Sequence, residues 1–171
     1  MAGHLFWGRV SAFGFAVAAI ACALDQFSKV WVLQAYDLGA KGVVKVTSFA
    51  DLVLTWNTGI SYGWFQKEGP FGQGVLLALK AVAVVLLWIW LARSSSRFAG
   101  LSLGLIIGGA IGNALDRLSY GAVADFVLLH AQIGGQRYDW YVVNLADVAI
   151  VAGVIGLLYE SLFGQDAAKA P

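Results

Sequence analysis

Four stretches of mostly apolar residues restrict the fold of this chain more than any other feature of its sequence. A helix rises about 1.5 Å per residue, so roughly 20 such residues cross the hydrocarbon layer of a bilayer. Hydrophobic residues make up 60% of the chain and charged residues only 12%, which is typical of a membrane-embedded protein. The predicted spans are residues 10–34, 72–92, 98–116 and 144–163.

The first span has an alternative interpretation as a cleaved signal peptide. Its apolar run is long for such a peptide, and no convincing small-residue cleavage motif precedes a polar mature region. We therefore expect a retained span.

Two long connections join the spans. The first, residues 36–71, contains KVTSFADLVLTW, whose β-branched and aromatic residues predict short strands. The second, residues 118–141, includes an ordinary exposed loop at 132–139, and the tail 164–171 is expected to be disordered. The predicted fold class is an all-α integral membrane protein, with four transmembrane helices and a small β-rich extracytoplasmic region in the first long loop. One membrane-embedded domain is expected over residues 1–171.

Composition excludes several classes of function. The net charge of +1 gives no electrostatic footprint for nucleic acid. Cys22 is the only cysteine, which rules out an internal disulfide. His4 and His130 lie far apart in the sequence, so we expect no metal centre and no cofactor.

The order of the spans gathers the polar residues on one side of the membrane. The ends of spans one and three, both long connections and the start of span four must all lie there, whatever the absolute orientation. Arg93 and Arg97 crowd the short turn on the opposite side, which favours cytoplasmic termini and a site outside. The residues expected to converge are Asp25, Lys29, Asn57, Asn113, Asp116, Arg117, Asp125, Asn144 and Asp147.

Asp125 and Asp147 are the candidate catalytic pair. Two neighbouring carboxylates do not both ionise easily, so one keeps its proton and the other accepts one from water. Asp147 lies in the first turn of a predicted helix, whose dipole favours the charged form, so Asp125 is predicted to be the protonated partner. Simpler interpretations stay open: a helix cap for Asn144 and Asp147, and a turn or cap role for Asp125.

Three other charged residues also have open alternatives. Asp25 and Lys29 lie four residues apart, and they either form only a structural ion pair or also face the site. Arg117 either pairs with Asp116 or a lipid phosphate, or serves the site. Lys80 lies within the second span, and it either snorkels to the surface or meets an acid from another helix.

Gly104, Gly108 and Gly112 recur every fourth residue in the third span. This spacing predicts a smooth face that another helix approaches closely.

Five segments together resemble one known family, the lipoprotein signal peptidases, or signal peptidase II. They are DQFSK (25–29), NTGISYG (57–63), GGAIGNALDR (108–117), GAVADF (121–126) and NLAD (144–147). The resemblance covers nearly the whole chain. It implies a bacterial membrane aspartic endopeptidase that removes the signal peptide from diacylglyceryl-modified prolipoproteins, cutting just before the lipidated cysteine.

The resemblance also implies roles for individual residues. Asp125 and Asp147 match the catalytic aspartates. The positions that match substrate-positioning residues are Asn57, Asn113, Arg117 and Asn144, and those that match structural supports are Asp25, Lys29, Gly59 and Asp116. The implied location is the inner membrane, with cytoplasmic termini and a site towards the outer leaflet. Membrane lipids and globomycin-type inhibitors are the other implied partners.

Two different classes of function compete with a peptidase. A small proton- or cation-coupled transporter also uses intramembrane acids, but it needs them near mid-membrane with access from both faces. A purely structural four-helix scaffold would use the same residues as caps and ion pairs. The clustering of the acids at one end of the spans disfavours both.

Overall fold

The part of the chain that the structure describes consists of five helices and one small sheet. The structure, a computed structural model, describes residues 5–59 and 70–163. The helices are α1 (Ser11–Val30), α2 (Leu38–Lys41), α3 (Pro70–Arg93), α4 (Arg97–Tyr120) and α5 (Leu145–Phe163), and α1 continues as a π-helical turn over Trp31–Ala35. The strands are β1 (Val44–Lys45), β2 (Ala50–Asn57), β3 (Val123–Ile133) and β4 (Gln136–Val143).

Three of the four predicted spans are helices that meet the requirements for crossing a membrane. Within the described residues these are Ser11–Ala35, Arg97–Tyr120 and Leu145–Phe163. Helix α3 covers the predicted span 72–92 with 24 residues, and the count of four spans stays a prediction. Helix α4 runs past the predicted end at residue 116 to Tyr120, where Gly121 closes it with a φ of +72° and an N–H bond to the Arg117 carbonyl.

Helix α4 is the centre of the helical part, with α1 and α5 packed against it. The predicted glycine face is confirmed: a Cβ at Gly104 would lie 2.7 Å from the Gly14 carbonyl oxygen, and one at Gly108 would lie 2.5 Å from that of Ala18. A Cβ at Gly109 would meet the Ala146 carbonyl oxygen at 2.5 Å. Glycine therefore lets both neighbouring backbones approach α4 closely.

The outward faces of the helices carry large apolar side chains. Phe27 is 72% exposed, Leu86 61% and Ile155 60%. Side chains of this kind are costly in water and suit contact with lipid chains. The surface of the helical part therefore fits a bilayer.

The prediction of an all-α fold is wrong, because both long connections supply strands to one antiparallel sheet in the order β1-β2-β3-β4. The expectation of strands in the first connection is confirmed by β1 and β2. The predicted exposed loop at 132–139 is instead the hairpin between β3 and β4. Its turn is Gly134-Gly135, with φ of +61° and +80°, and positive φ at both positions is the geometry of a tight two-residue hairpin.

The sheet lies next to the helix ends and has its own small core of Val32, Leu38 and Phe126. In β2 and β3, Thr55 pairs with Asp125 and Asn57 pairs with Val123. This register brings Asn57 and Asp125 to the same end of the sheet. His4, residues 60–63 of the segment NTGISYG and the tail 164–171 lie outside the described residues.

Candidate active site

Asp125 lies in β3, and its side chain is almost entirely buried. Two amides donate hydrogen bonds to its carboxyl group: Asn144 Nδ2 to Oδ1 at 2.6 Å and Asn57 Nδ2 to Oδ2 at 3.2 Å. The residue is neither a turn nor a helix-cap aspartate, since it sits within a strand. The two carboxyl oxygens are therefore held by amide side chains, one from β2 and one from the residue that precedes α5.

Asp147 lies in the first turn of α5. Asn113 Nδ2 donates to its Oδ1 at 2.9 Å, and the Asn144 backbone N–H donates to its Oδ2 at 3.2 Å. The Asp147 backbone N–H in turn donates to Asn144 Oδ1 at 3.0 Å. Asn144 and Asp147 thus form a capping box, as the simpler interpretation predicts, and the same carboxylate also reaches into the site.

Two asparagines join the aspartates to each other. Asn144 Nδ2 donates to Asn113 Oδ1 at 3.1 Å as well as to Asp125. A continuous path of hydrogen bonds therefore runs from Asp125 through Asn144 and Asn113 to Asp147. The residues of this path come from β3, α4 and the start of α5, which are far apart in the sequence.

Burial raises the pKa of Asp125 above its usual range, and the charge of Asp147 raises it further. The hydrogen bonds from Asn57 and Asn144 and the charge of Lys29 oppose this shift without cancelling it. A raised pKa means that the carboxyl group keeps its proton to a higher pH than an ordinary aspartate does. The direction is the one predicted for Asp125 from the sequence.

A second group of charges, here called the helix cluster, consists of Asp25, Lys29 and Asp116. Lys29 Nζ lies 2.8 Å from Asp25 Oδ2 and 2.8 Å from Asp116 Oδ2, and it donates to Asn113 Oδ1 at 3.0 Å. The pair Asp25 and Lys29 therefore does more than seat a helix end. It holds the asparagine that contacts Asp147.

The acids of the helix cluster also bind the backbone of neighbouring elements. Asp25 Oδ1 accepts from the Ala146 N–H at 2.9 Å, and Asp116 Oδ2 accepts from the Ala124 N–H at 3.1 Å. Ala146 precedes Asp147 and Ala124 precedes Asp125. Each acid of the cluster thus fixes the backbone next to one of the candidate catalytic aspartates.

Two residues that contact the helix cluster were not predicted to lie there from the sequence. Gln26 Nε2 donates to Asp116 Oδ1 at 2.9 Å and to the Gly112 carbonyl at 3.1 Å. Gln26 is one residue away from Asp25, which places it off the face that Asp25 and Lys29 share, so the spacing of four gave no signal for it. Gly112 was predicted only as a packing position, yet a Cβ there would lie 2.5 Å from Asp25 Oδ2.

Arg117 does not pair with Asp116. Its Nε and Nη1 atoms are buried and have no hydrogen-bond partner among the described residues. Gly59 lies at the edge of the site, where its N–H donates to Asn57 Oδ1 at 3.2 Å and orients that amide. All ten residues singled out from the sequence therefore lie at or beside one site. Within residues 5–59 and 70–163, no group of three His, Cys, Asp or Glu side chains is placed to hold a metal ion.

Comparison with known proteins gives close sequence relatives. A family model described as signal peptidase (SPase) II matches residues 17–163. The lipoprotein signal peptidase of Rhodopseudomonas palustris (strain TIE-1) is 63% identical over 158 residues, which cover 92% of this chain and 96% of that protein. The lipoprotein signal peptidase of Nitrobacter hamburgensis has the same identity and coverage.

Two solved structures, each described as a bacterial membrane enzyme, have similar folds. One has a TM-score of 0.74 and covers 98% of this chain and 97% of its own. The other has a TM-score of 0.75 and covers 94% and 99%. Both are 21% identical in sequence. At that identity the likeness concerns the fold, and it extends over nearly the whole chain.

Proposed function

Because the chain belongs to the signal peptidase II family, we propose that it is an aspartic endopeptidase acting on diacylglyceryl-modified prolipoproteins. It removes the signal peptide by cutting immediately before the lipidated cysteine. The observation that carries this proposal is the hydrogen-bonded path from Asp125 through Asn144 and Asn113 to Asp147. Below, Asp125 and Asp147 together are called the dyad.

The proposed reaction is general acid–base hydrolysis of a peptide bond. Ionised Asp147 takes a proton from a water molecule, whose oxygen attacks the scissile carbonyl carbon, while protonated Asp125 donates a hydrogen bond to the carbonyl oxygen. When the carbon–nitrogen bond breaks, the proton on Asp147 passes to the leaving amine. The raised pKa of Asp125 supports this division of roles, and the position of Asp147 in the first turn of α5 supports its charged form.

The polar neighbours of the dyad have positioning roles in this proposal. Asn57 and Asn144 hold the Asp125 carboxyl group, and Asn113 holds that of Asp147. Arg117 has two buried nitrogens without a partner among the described residues, so it can donate to carbonyl groups of the substrate. Burying such donors is costly unless a ligand satisfies them.

The membrane location fits the substrate. The protein is proposed to be one membrane-embedded unit in the inner membrane, with cytoplasmic termini and the dyad towards the outer leaflet. The acyl chains of the lipidated cysteine stay in the bilayer, so the scissile bond lies near the headgroups. The dyad lies where the end of the helical part adjoins the sheet, with Asp147 in α5 and Asp125 in β3, and such a bond would arrive there. Globomycin-type inhibitors are expected to bind there.

The test is cleavage of a diacylglyceryl-modified prolipoprotein by purified wild type, Asp125→Asn and Asp147→Asn. Each substitution preserves shape and removes the acid, so activity should fall by at least about a hundredfold. Asp139→Asn is the matched control, because Asp139 is an exposed carboxylate in β4, and it should cleave like wild type.

Two further comparisons separate the parts of the proposal. Turnover near the wild-type rate in either dyad variant would show that the dyad is assigned wrongly. Equal cleavage of prolipoprotein that lacks the diacylglyceryl group would remove the proposed substrate requirement. Inhibition of the wild type by globomycin is the expected result of a third assay.

A further inference from the structure

Lys80 lies on the face of α3 that packs against the other helices. Lys80, Val84, Leu87 and Leu91 are spaced at i, i+4, i+7 and i+11, so their side chains share one face. Leu91 is fully buried, and Val84 and Leu87 pack against the same core cluster. Lys80 is itself partly buried. The neighbouring Leu79, in contrast, is 61% exposed and faces outwards.

The charges that act on the Lys80 ammonium group belong to the candidate active site. They come from Arg117 and Asp116 of α4, Asp147 of α5 and Lys29 of α1. Among the described residues, Lys80 makes no direct hydrogen bond or ion pair with any of them. A lysine that only snorkelled would be expected to point its ammonium towards headgroups on the lipid side, whereas this one lies on the face of α3 that packs against the other helices.

Among residues 5–59 and 70–163, the charges of the site balance only when Lys80 is counted. Four carboxyl groups meet there: Asp25 and Asp116 of the helix cluster and the two members of the dyad. The cations are Lys29, Arg117 and Lys80. If one member of the dyad keeps its proton, three negative charges face three positive ones. Without Lys80, one carboxylate would lack a compensating charge in a region of low dielectric constant.

We propose that Lys80 is a positioning residue for the reaction, whose positive charge keeps one member of the dyad ionised while the other stays protonated. The inference rests on the aspartic mechanism proposed above. Lys80 touches neither substrate nor water in this role. It acts through the electrostatic interaction between its ammonium group and Asp147, and Arg117, Asp116 and Lys29 are the other charges that act on Lys80.

The experiment measures kcat and KM for a lipidated prolipoprotein as a function of pH. Lys80→Met removes the charge at similar length, Lys80→Arg keeps it, and Leu79→Met is the matched control on the lipid-facing side of α3. Loss of a nearby positive charge makes a carboxylate hold its proton to higher pH. The acid limb of the kcat profile should therefore move up by about one pH unit in Lys80→Met, which corresponds to a roughly tenfold lower rate at a fixed pH on that limb. Lys80→Arg and Leu79→Met should keep the wild-type limb.

Three outcomes would overturn the inference. The first is that the acid limb of the kcat profile does not move in Lys80→Met. The second is that folded Lys80→Arg does not keep the wild-type limb. The third is that Lys80→Met raises KM and leaves the kcat profile unchanged. The last result would make Lys80 a substrate contact. Each of these is distinct from failure of the aspartic mechanism, which would appear as cleavage by Asp125→Asn or Asp147→Asn.

Discussion

Lys29 and Asp51 each lie at the centre of a group of buried charges, one between the helices and one within the sheet. In the helix cluster, Lys29 is 2% exposed, and its partners Asp25 and Asp116 are 0% and 1% exposed. The sheet cluster, formed by Asp51, His130, Arg137 and Asp139, has the same kind of centre. Asp51 is 1% exposed and accepts from Arg137 Nη2 at 2.8 Å, but Arg137 itself is 35% exposed.

The two clusters differ in which other parts of the protein their charged side chains contact. Every acid of the helix cluster also binds a backbone N–H of another element, so the cluster joins α1, α4, α5 and β3 around the site. Arg137 is partly open to water, where charges are screened. The His130 ring nitrogen lies 3.4 Å from Asp51 Oδ2 but is not aligned for a hydrogen bond. The helix cluster is therefore expected to determine both stability and activity, and the sheet cluster only the local stability of the sheet.

The largest effect is expected when Lys29, the centre of the helix cluster, is replaced. Lys29→Met leaves Asp25 and Asp116 as buried acids without their cation, which costs about 3–5 kcal/mol in known cases of a broken buried ion pair. Asn113 also loses one of the two donors to its carbonyl oxygen, so cleavage activity should fall with stability. The measurement is denaturant unfolding in detergent together with the cleavage assay.

Lys45→Met is the matched control for that substitution, since Lys45 is exposed at the end of β1. It should change neither stability nor activity appreciably. A loss below about 1 kcal/mol in Lys29→Met, the range of a surface ion pair, would mean that the helix cluster is no more important than the sheet cluster.

A smaller disturbance of the helix cluster comes from Gly112. A Cβ there would lie 2.5 Å from Asp25 Oδ2, and Asp25 cannot move away without losing Lys29 and the Ala146 N–H. Gly112→Ala should therefore destabilise the protein by about 1–3 kcal/mol, as overpacking does, and reduce activity.

Gly74→Ala in α3 is the matched control, because no described atom lies within 4 Å of its added Cβ. Alanine favours a helix over glycine by up to about 1 kcal/mol, so this variant should be as stable as wild type or slightly more so. If the two alanine variants behaved alike, the contact between Gly112 and Asp25 would not constrain the site.

The helix cluster was visible in the sequence and the sheet cluster was not, for a physical reason. Asp25 and Lys29 are spaced by one helical turn, and acids within apolar runs stand out because burying them is costly. Strand β4 is exposed at nearly every position, so it has no alternation of apolar and polar residues to indicate a strand. The sequence therefore predicted a loop where the structure has the hairpin at Gly134-Gly135, and the predicted fold lacked β3 and β4.

The order of the spans predicted which residues would meet, but not how they would bind each other. It placed Asn113, Asn144 and the two aspartates on one side of the membrane, and the structure connects them by hydrogen bonds. The role of Lys80 could not be chosen from the sequence, because its surroundings depend on which face of α3 packs inwards. That face is decided by the packing of Val84, Leu87 and Leu91.

The smallest expected effect concerns the sheet cluster and appears only in acid. The hydrogen bond from Arg137 lowers the pKa of Asp51 below its usual range, burial opposes this, and His130 adds to the lowering. A carboxyl group with a lowered pKa in the folded state stabilises the protein above its unfolded pKa of about 3.9, and this contribution is lost as pH falls through the folded pKa. Arg137→Gln should therefore lower the thermal midpoint slightly at pH 7, while cleavage stays at the wild-type rate.

The pH dependence of the thermal midpoint tests whether the difference between wild type and Arg137→Gln comes from the charge of Asp51. The gap in thermal midpoint between wild type and Arg137→Gln should narrow as the pH falls below about 4, because wild-type Asp51 then takes up its proton and loses the advantage of its partner. Arg93→Gln, at the exposed arginine that ends α3, should show no such narrowing. If the difference in thermal midpoint between wild type and Arg137→Gln stayed constant with pH, Arg137 would stabilise the sheet through packing of its side chain. If Arg137→Gln lost cleavage activity at pH 7, the sheet cluster would also contribute to the active site.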